Sequence, residues 1–206
     1  MSGRAGQQTL RGRVIAGFAR PASMRLEGVA PFGPPAFILA SHDGDAVLLL
    51  PRDAPRVLRG AKPEEILGAL TGVSLGPADL QAILTGCVTP APRAAAGRLH
   101  TNGWASIELM GGATLYLQPV KPAGWTIRAA KRAGWQIEYP AWANGFPQSV
   151  RLVSDAAGTA VDLTAGLSQI ETNKDLDAAA FTIAVPPGAD TITLDELKDS
   201  GPLGGE

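Results

Sequence analysis

The chain has 206 residues, 45% of them hydrophobic, and a formal net charge of -1. That is length enough to bury one sizeable core, without the basic excess that a nucleic-acid partner calls for. The single cysteine, Cys87, excludes an internal disulfide and a cysteine-based metal cluster. No stretch reaches the ~18 apolar residues of a membrane-spanning helix, and the opening Met-Ser-Gly-Arg-Ala-Gly-Gln-Gln does not read as a signal peptide.

Residues 10–19 place Arg11 and Arg13 at period two and then turn apolar, the pattern of a strand entering a sheet. Arg20-Pro21-Ala22 breaks it, and residues 23–29 resume as a second strand, with Arg25 and Glu27 alternating against Met24 and Leu26. The link that follows, Val29-Ala30-Pro31-Phe32-Gly33-Pro34-Pro35, is odd for a connection, because loops are ordinarily polar. Phe32 either folds back into a core or is displayed. Residues 36–40 and 46–50 then flank His42-Asp43-Gly44-Asp45, a strong hairpin signal. Both strands are apolar on both faces, so each side of the sheet needs cover or lines a cavity.

Two short helices are expected next. Pro63, Glu64 and Glu65 suit the first turn of one, with Ile66, Leu67 and Leu70 as its apolar stripe and Gly72 as its end. The other starts at Gly76-Pro77, has Leu80, Ile83 and Leu84 as its stripe and ends at Gly86. Leu84-Thr85-Gly86-Cys87 looks like a lipid-attachment box, but it lies mid-chain behind Asp79 and Gln81 and reads as a helix end. Neither helix is long enough to be stable alone, so both must dock on apolar surface.

Residues 89–97 read as a long loop. A meander follows: strands at 104–110, 113–118, 125–130, 135–139 and 148–154, joined by tight turns at Gly111-Gly112, at Lys131-Arg132-Ala133-Gly134 and near Asn144-Gly145. A turn at 155–159, a long strand at 160–172 and a short strand at 181–185 precede a closing helix at 193–198. That helix has Thr193 and Glu196 at capping-box spacing and Gly201-Pro202 as its stop. The total is about ten antiparallel strands with small helices, a mainly β (α+β) single domain over residues 1–206 built as an open or partly closed barrel.

Chemistry-bearing residues are sparse. His42 and His100 have no cysteine or acid at metal-ligand spacing, and no metal site or cofactor is expected. There is no Gly-x-Ser-x-Gly, nor a glycine-rich loop leading from a strand into a helix. Asp43-Gly44-Asp45 lacks the later ligands of a calcium loop and is explained by turn chemistry. Trp104, Trp125, Trp135 and Trp142 suit core packing better than stacking on a ligand. An enzyme is not expected.

Several short motifs, in order, carry a resemblance. They are Ala30-Pro31-Phe32-Gly33, then Leu70-Thr71-Gly72-Val73 with Pro77, Leu80 and Ile83-Leu84-Thr85-Gly86, then Gly134-Trp135-Gln136-Ile137-Glu138-Tyr139 and Phe146-Pro147 before a strand. Over residues 11–153 the chain resembles the outer-membrane lipoprotein receptor LolB and the wider LolA/LolB-like superfamily. The fold this implies is a strongly curved antiparallel sheet forming a half-barrel, with short helices covering the concave side above a hydrophobic cavity.

The function it implies is non-enzymatic: binding of lipid acyl chains or lipoproteins in that cavity, receiving lipoproteins from a periplasmic lipoprotein carrier and inserting them into the outer membrane. Cavity residues expected on this basis are Phe37, Leu39, Val47 and Leu49 on the sheet and Ile66, Leu70, Leu80, Ile83 and Leu84 on the helices. The family's exposed leucine, which promotes membrane insertion, falls on Phe32 between Pro31 and Gly33, and Pro34-Pro35 stiffen the loop. Burying one Phe side chain is worth roughly 1.5–3 kcal/mol, which permits transient membrane contact but not anchorage. The family's lipidated cysteine and first strand have no counterpart before Ser2, so a longer natural N-terminus, lipid-anchored in the outer membrane and facing the periplasm, is expected. Residues 176–203 read as a C-terminal extension. The competing expectation is an envelope lipoprotein that uses the fold as a scaffold for a protein partner.

Overall fold

The computed structural model describes residues 1–52, 54–87, 92–154 and 160–200. The chain packs as two compact units: Met1–Gln81 with Glu171–Glu206, and Ala82–Ile170. Fifteen strands and three short α-helices are present among the described residues, so the protein is mainly β with two sheets.

The first unit opens with a hairpin, β1 (Ser2–Ala5) and β2 (Gln8–Arg11). After Gly12 the chain runs through β3 (Arg13–Ala19), β4 (Ser23–Val29), β5 (Phe37–His42), β6 (Asp45–Leu50) and β7 (Arg56–Arg59) as consecutive antiparallel neighbours. The β5–β6 turn is the expected one, with Asp43 and Gly44 both at positive φ (50° and 89°), the backbone of a hairpin turn that matches strand twist. Cross-strand register sorts the side chains. Leu26, Leu39, Leu48 and Leu58 form one row, while Glu27, Ile38, Leu49 and Val57 form a row on the opposite face. On the first face the Phe37 ring lies across Gly28, where an added Cβ would come within 2.5 Å of it.

Helices α1 (Pro63–Thr71) and α2 (Pro77–Thr85) fall where their punctuation places them. Pro63 occupies the first turn of α1, the Glu65 carboxylate accepts from the Lys62 N–H at 2.9 Å, and Gly72 ends the helix at φ 74°. α1 packs against β6 and against α3 (Leu194–Asp199). The α3 cap is the expected box: the Glu196 N–H donates to Thr193 Oγ1 and the Thr193 N–H to Glu196 Oε2.

The C-terminal segment belongs to the first unit. It covers the sheet face that carries Arg25, whose Nη1 donates to the carbonyls of Ala180 and Thr182 while Nε donates to Glu27 Oε1. Phe181 is buried at the end of a 3-10 turn, Ala178–Phe181, capped by Asp177. β15 (Asp190–Thr191) then adds to β7 in parallel.

The second unit is a seven-strand antiparallel meander: β8 (Ala94–Leu99), β9 (Ala105–Leu109), β10 (Thr114–Pro119), β11 (Trp125–Arg132), β12 (Trp135–Ala143), β13 (Phe146–Ser154) and β14 (Val161–Gly166). Its β11–β12 turn uses Ala133 and Gly134 at positive φ, as the expected turn there requires.

Five expectations need correction. Residues 94–97, read as loop, are strand β8, because pairing with β9 overrides the weak β propensity of an Ala-Gly run. The strand at 10–19 is two strands broken at Gly12. The strand at 160–172 ends at Gly166, beyond which Gln169 and Asn173 take left-handed backbone (φ 56° and 55°). Residues 181–185 are not a strand; the Asp177 cap starts a 3-10 turn that takes in Phe181. β1, β7 and β15 were not anticipated. The expected turn at 155–159, the Gly201-Pro202 stop and the first residues of the 89–97 loop lie outside the described residues.

Candidate functional site: an apolar sheet face and a displayed loop

Across the second unit the register draws one line of residues from β8 to β14: Gly97, Ile107, Leu115, Ala130, Ile137, Leu152 and Leu163, each opposite the next. Directly paired residues share a face, so this row is one continuous apolar stripe. A shorter row beside it, Leu99, Ala105, Leu117 and Ile127, extends the same surface over β8–β11. The next row on the opposite face reads Arg98, Ser106, Tyr116, Ala129, Glu138, Arg151 and Thr164. The meander therefore has a polar side and an apolar side.

The polar side is held by charge. Arg151 donates from Nη2 and Nε to the Asp162 carboxylate and from Nη1 to Glu138. This fork holds the Asp162 carboxyl below its usual range. Arg128 Nε similarly donates to Gln118 Oε1. These groups are open to water, as a solvent-facing sheet surface should be.

The apolar side is unevenly covered. Leu163, Ile137 and Ala130 are buried, Leu152, Leu115 and Ile107 half-buried, and Gly97 exposed, so cover thins from β14 toward β8. At the open end Leu99 is 71% exposed and Trp125 50%. Deep on this side Tyr139 and Trp142 stack obliquely, ring centroids 5.6 Å apart. The irregularity between Glu138 and Ala141 brings Trp142 round to Tyr139 while Pro140 and Ala141 stay exposed. Burial pushes the Tyr139 hydroxyl up to about 12.

In the first unit, Phe32 is displayed, 89% exposed on a loop whose Pro31, Gly33 and Pro34 are also exposed. The expected cavity residues divide. Phe37 and Leu39 lie on one face of the sheet and Val47 and Leu49 on the other, since Leu39 pairs with Leu48 while Ala40 pairs with Val47. Ile66, Leu70, Leu80 and Ile83 are buried and Val47 and Leu84 half-buried. The two sheet pairs thus do not line one surface. The parity of a strand is legible from its residues, but which residue opposes which is set by pairing.

Ser23 Oγ and His42 Nδ1 are 2.8 Å apart, with His42 Nε2 3.4 Å from Asp43 Oδ2. Ser23 and His42 each follow on from the Met24–Ser41 pair that ends the β4–β5 register, and Ser23 is buried. A covered hydroxyl of this kind ties two strand ends together and is poorly placed to attack a substrate. Among the described residues no group of three or more His, Cys, Asp or Glu is placed to hold a metal ion, and no helix is long and apolar enough to cross a membrane.

The sequence reading missed the stripe of the second unit, whose members were assigned to strands but not to a common face. The alternation at Leu115/Leu117 against Tyr116 is the signal that could have found it. No family model matches the chain, and a comparison with curated proteins finds no significant relative.

Proposed function

We propose that the protein binds the acyl chains of lipids or lipoproteins on the apolar side of its second unit, with the Phe32 loop making transient membrane contact. The observation that carries this reading is the apolar row from Gly97 to Leu163, whose cover thins toward β8 and leaves Ile107, Leu115, Leu117 and Ile127 only half-buried. A sheet face of this length that stays partly open is the exception in a monomer and marks an interaction surface. Each methylene withdrawn from water contributes about 0.8 kcal/mol, so a long chain laid along the row gains affinity without any charged contact.

On this reading the apolar side is the inner wall of a curved half-barrel, in keeping with the LolA/LolB-like resemblance. The periplasm, the outer membrane and a lipoprotein carrier as partner follow from that resemblance.

The test is extraction and mass spectrometry of lipid copurifying with the chain, followed by displacement of a fluorescent fatty acid. Ile107→Gln, on the apolar row, is expected to weaken binding about tenfold. Tyr116→Gln, on the polar side, should leave it unchanged. Equal effects of the two, or no acyl chain bound at all, would refute the reading.

A further inference from the structure

Trp142 stands out on the apolar side because its indole N–H is buried and has no hydrogen-bond partner among the described residues. The ring is tightly held. Gly86, at φ 65° just past α2, lies over it so closely that an added Cβ would sit 2.4 Å from Cη2 and 3.4 Å from Pro147 Cγ. Tyr139 stacks beside it. An indole N–H donates only, and its direction is fixed by the ring, so it cannot turn to find an acceptor as a hydroxyl can. Leaving a buried donor unpaired is costly, and native structures tolerate it rarely and for a reason.

The surroundings narrow that reason. Ligand sites in apolar surfaces carry a small number of placed polar groups that fix orientation. A lone neutral donor among apolar side chains is complementary to a lone neutral acceptor at the end of an apolar chain. It offers nothing specific to a plain hydrocarbon, and no positive charge to a carboxylate. We propose that Trp142 Nε1–H, which is closed off in this state, donates to the ester carbonyl of a bound acyl lipid once the entering chain parts the side chains over it, so that the site distinguishes acyl esters from chains of the same length without a carbonyl. This rests on the acyl-chain reading above and adds the group that the site recognises.

The experiment uses the full chain and two single-chain probes, 1-palmitoyl lysophosphatidylcholine and its 1-hexadecyl ether analogue, which differ in the carbonyl. The wild type is expected to bind the ester about fivefold more tightly, as one neutral hydrogen bond provides. Trp142→Phe should abolish that preference while leaving ether affinity within twofold. In the wild-type protein the Trp142 indole proton resonance, assigned with Phe substitutions at Trp104, Trp125 and Trp135, should move downfield with the ester and not with the ether. That readout needs no folded Trp142 variant.

Equal affinity of the wild type for the two probes, or an indole resonance that ignores the ester, overturns the anchor while leaving acyl binding intact. Failure of the wild type to bind either probe overturns the acyl-chain reading, and the anchor with it.

Discussion

Phe32 shows how far a single side chain carries function. Its ring is 89% exposed in a loop flanked by exposed prolines, so removing it costs the fold little, in line with the ±0.5 kcal/mol usual for surface substitutions. Phe32→Glu is therefore expected to leave the melting temperature unchanged within about 2 °C and to eliminate cosedimentation with liposomes. A marked loss of thermal stability would show instead that the ring is packed. Trp142 is the opposite case, a residue whose ring is packed and whose indole N–H has no partner among the described residues.

At the scale of elements, the end of α2 is constrained twice over. Gly86 needs left-handed backbone and also has the Trp142 ring where a Cβ would go. Left-handed backbone costs a non-glycine residue about 1–2 kcal/mol and overpacking about 1–3 kcal/mol more. Gly33 has a similar φ of 75° with open space around it. Chemical denaturation should accordingly show Gly86→Ala losing about 2–5 kcal/mol and Gly33→Ala about 1–2 kcal/mol. Comparable losses at the two sites would mean that Trp142 yields, and that the ring is less fixed than its neighbours imply.

At the scale of the molecule, the first unit is closed by chain from its far end. Arg25, on β4, ties down the carbonyls of Ala180 and Thr182, more than 150 residues away in sequence. Hydrogen bonds from a charged donor are worth about 1.5–3 kcal/mol each when shielded, and this side chain is 28% exposed. Arg25→Ala should lower stability by about 1–3 kcal/mol and speed amide hydrogen exchange over residues 176–185 well before the β4–β6 core opens. Uniform acceleration across the unit would indicate that the segment opens only with global unfolding. The stretch read as an extension is thus part of the first unit: it covers a face, supplies β15 and packs α3 on α1.

Much of this was readable one element at a time. Pro63 and Gly72 bounded α1, Thr193 and Glu196 marked α3, and Asp43-Gly44 marked its hairpin. Each is a local matter of φ or of a cap, decided within a few residues. The misses share a different cause. β8 is strand only because β9 pairs with it, and β15 is strand only because β7 lies alongside. The candidate lipid surface failed at the same step: Phe37, Leu39, Val47 and Leu49 were grouped by hydrophobicity, and the pairing of Leu39 with Leu48 separated them.

The sequence by itself determined a mainly β chain, its turns, its helix ends and a conspicuous apolar loop, because those features rest on backbone preference and on short-range periodicity. Tertiary structure alone decided which apolar residues align into one surface and where that surface stays open. It also decided that the buried indole N–H of Trp142, without a partner among the described residues, belongs to a ring lying beneath a glycine from another element. Cross-strand register and long-range packing are relations between distant residues, and no local pattern encodes them.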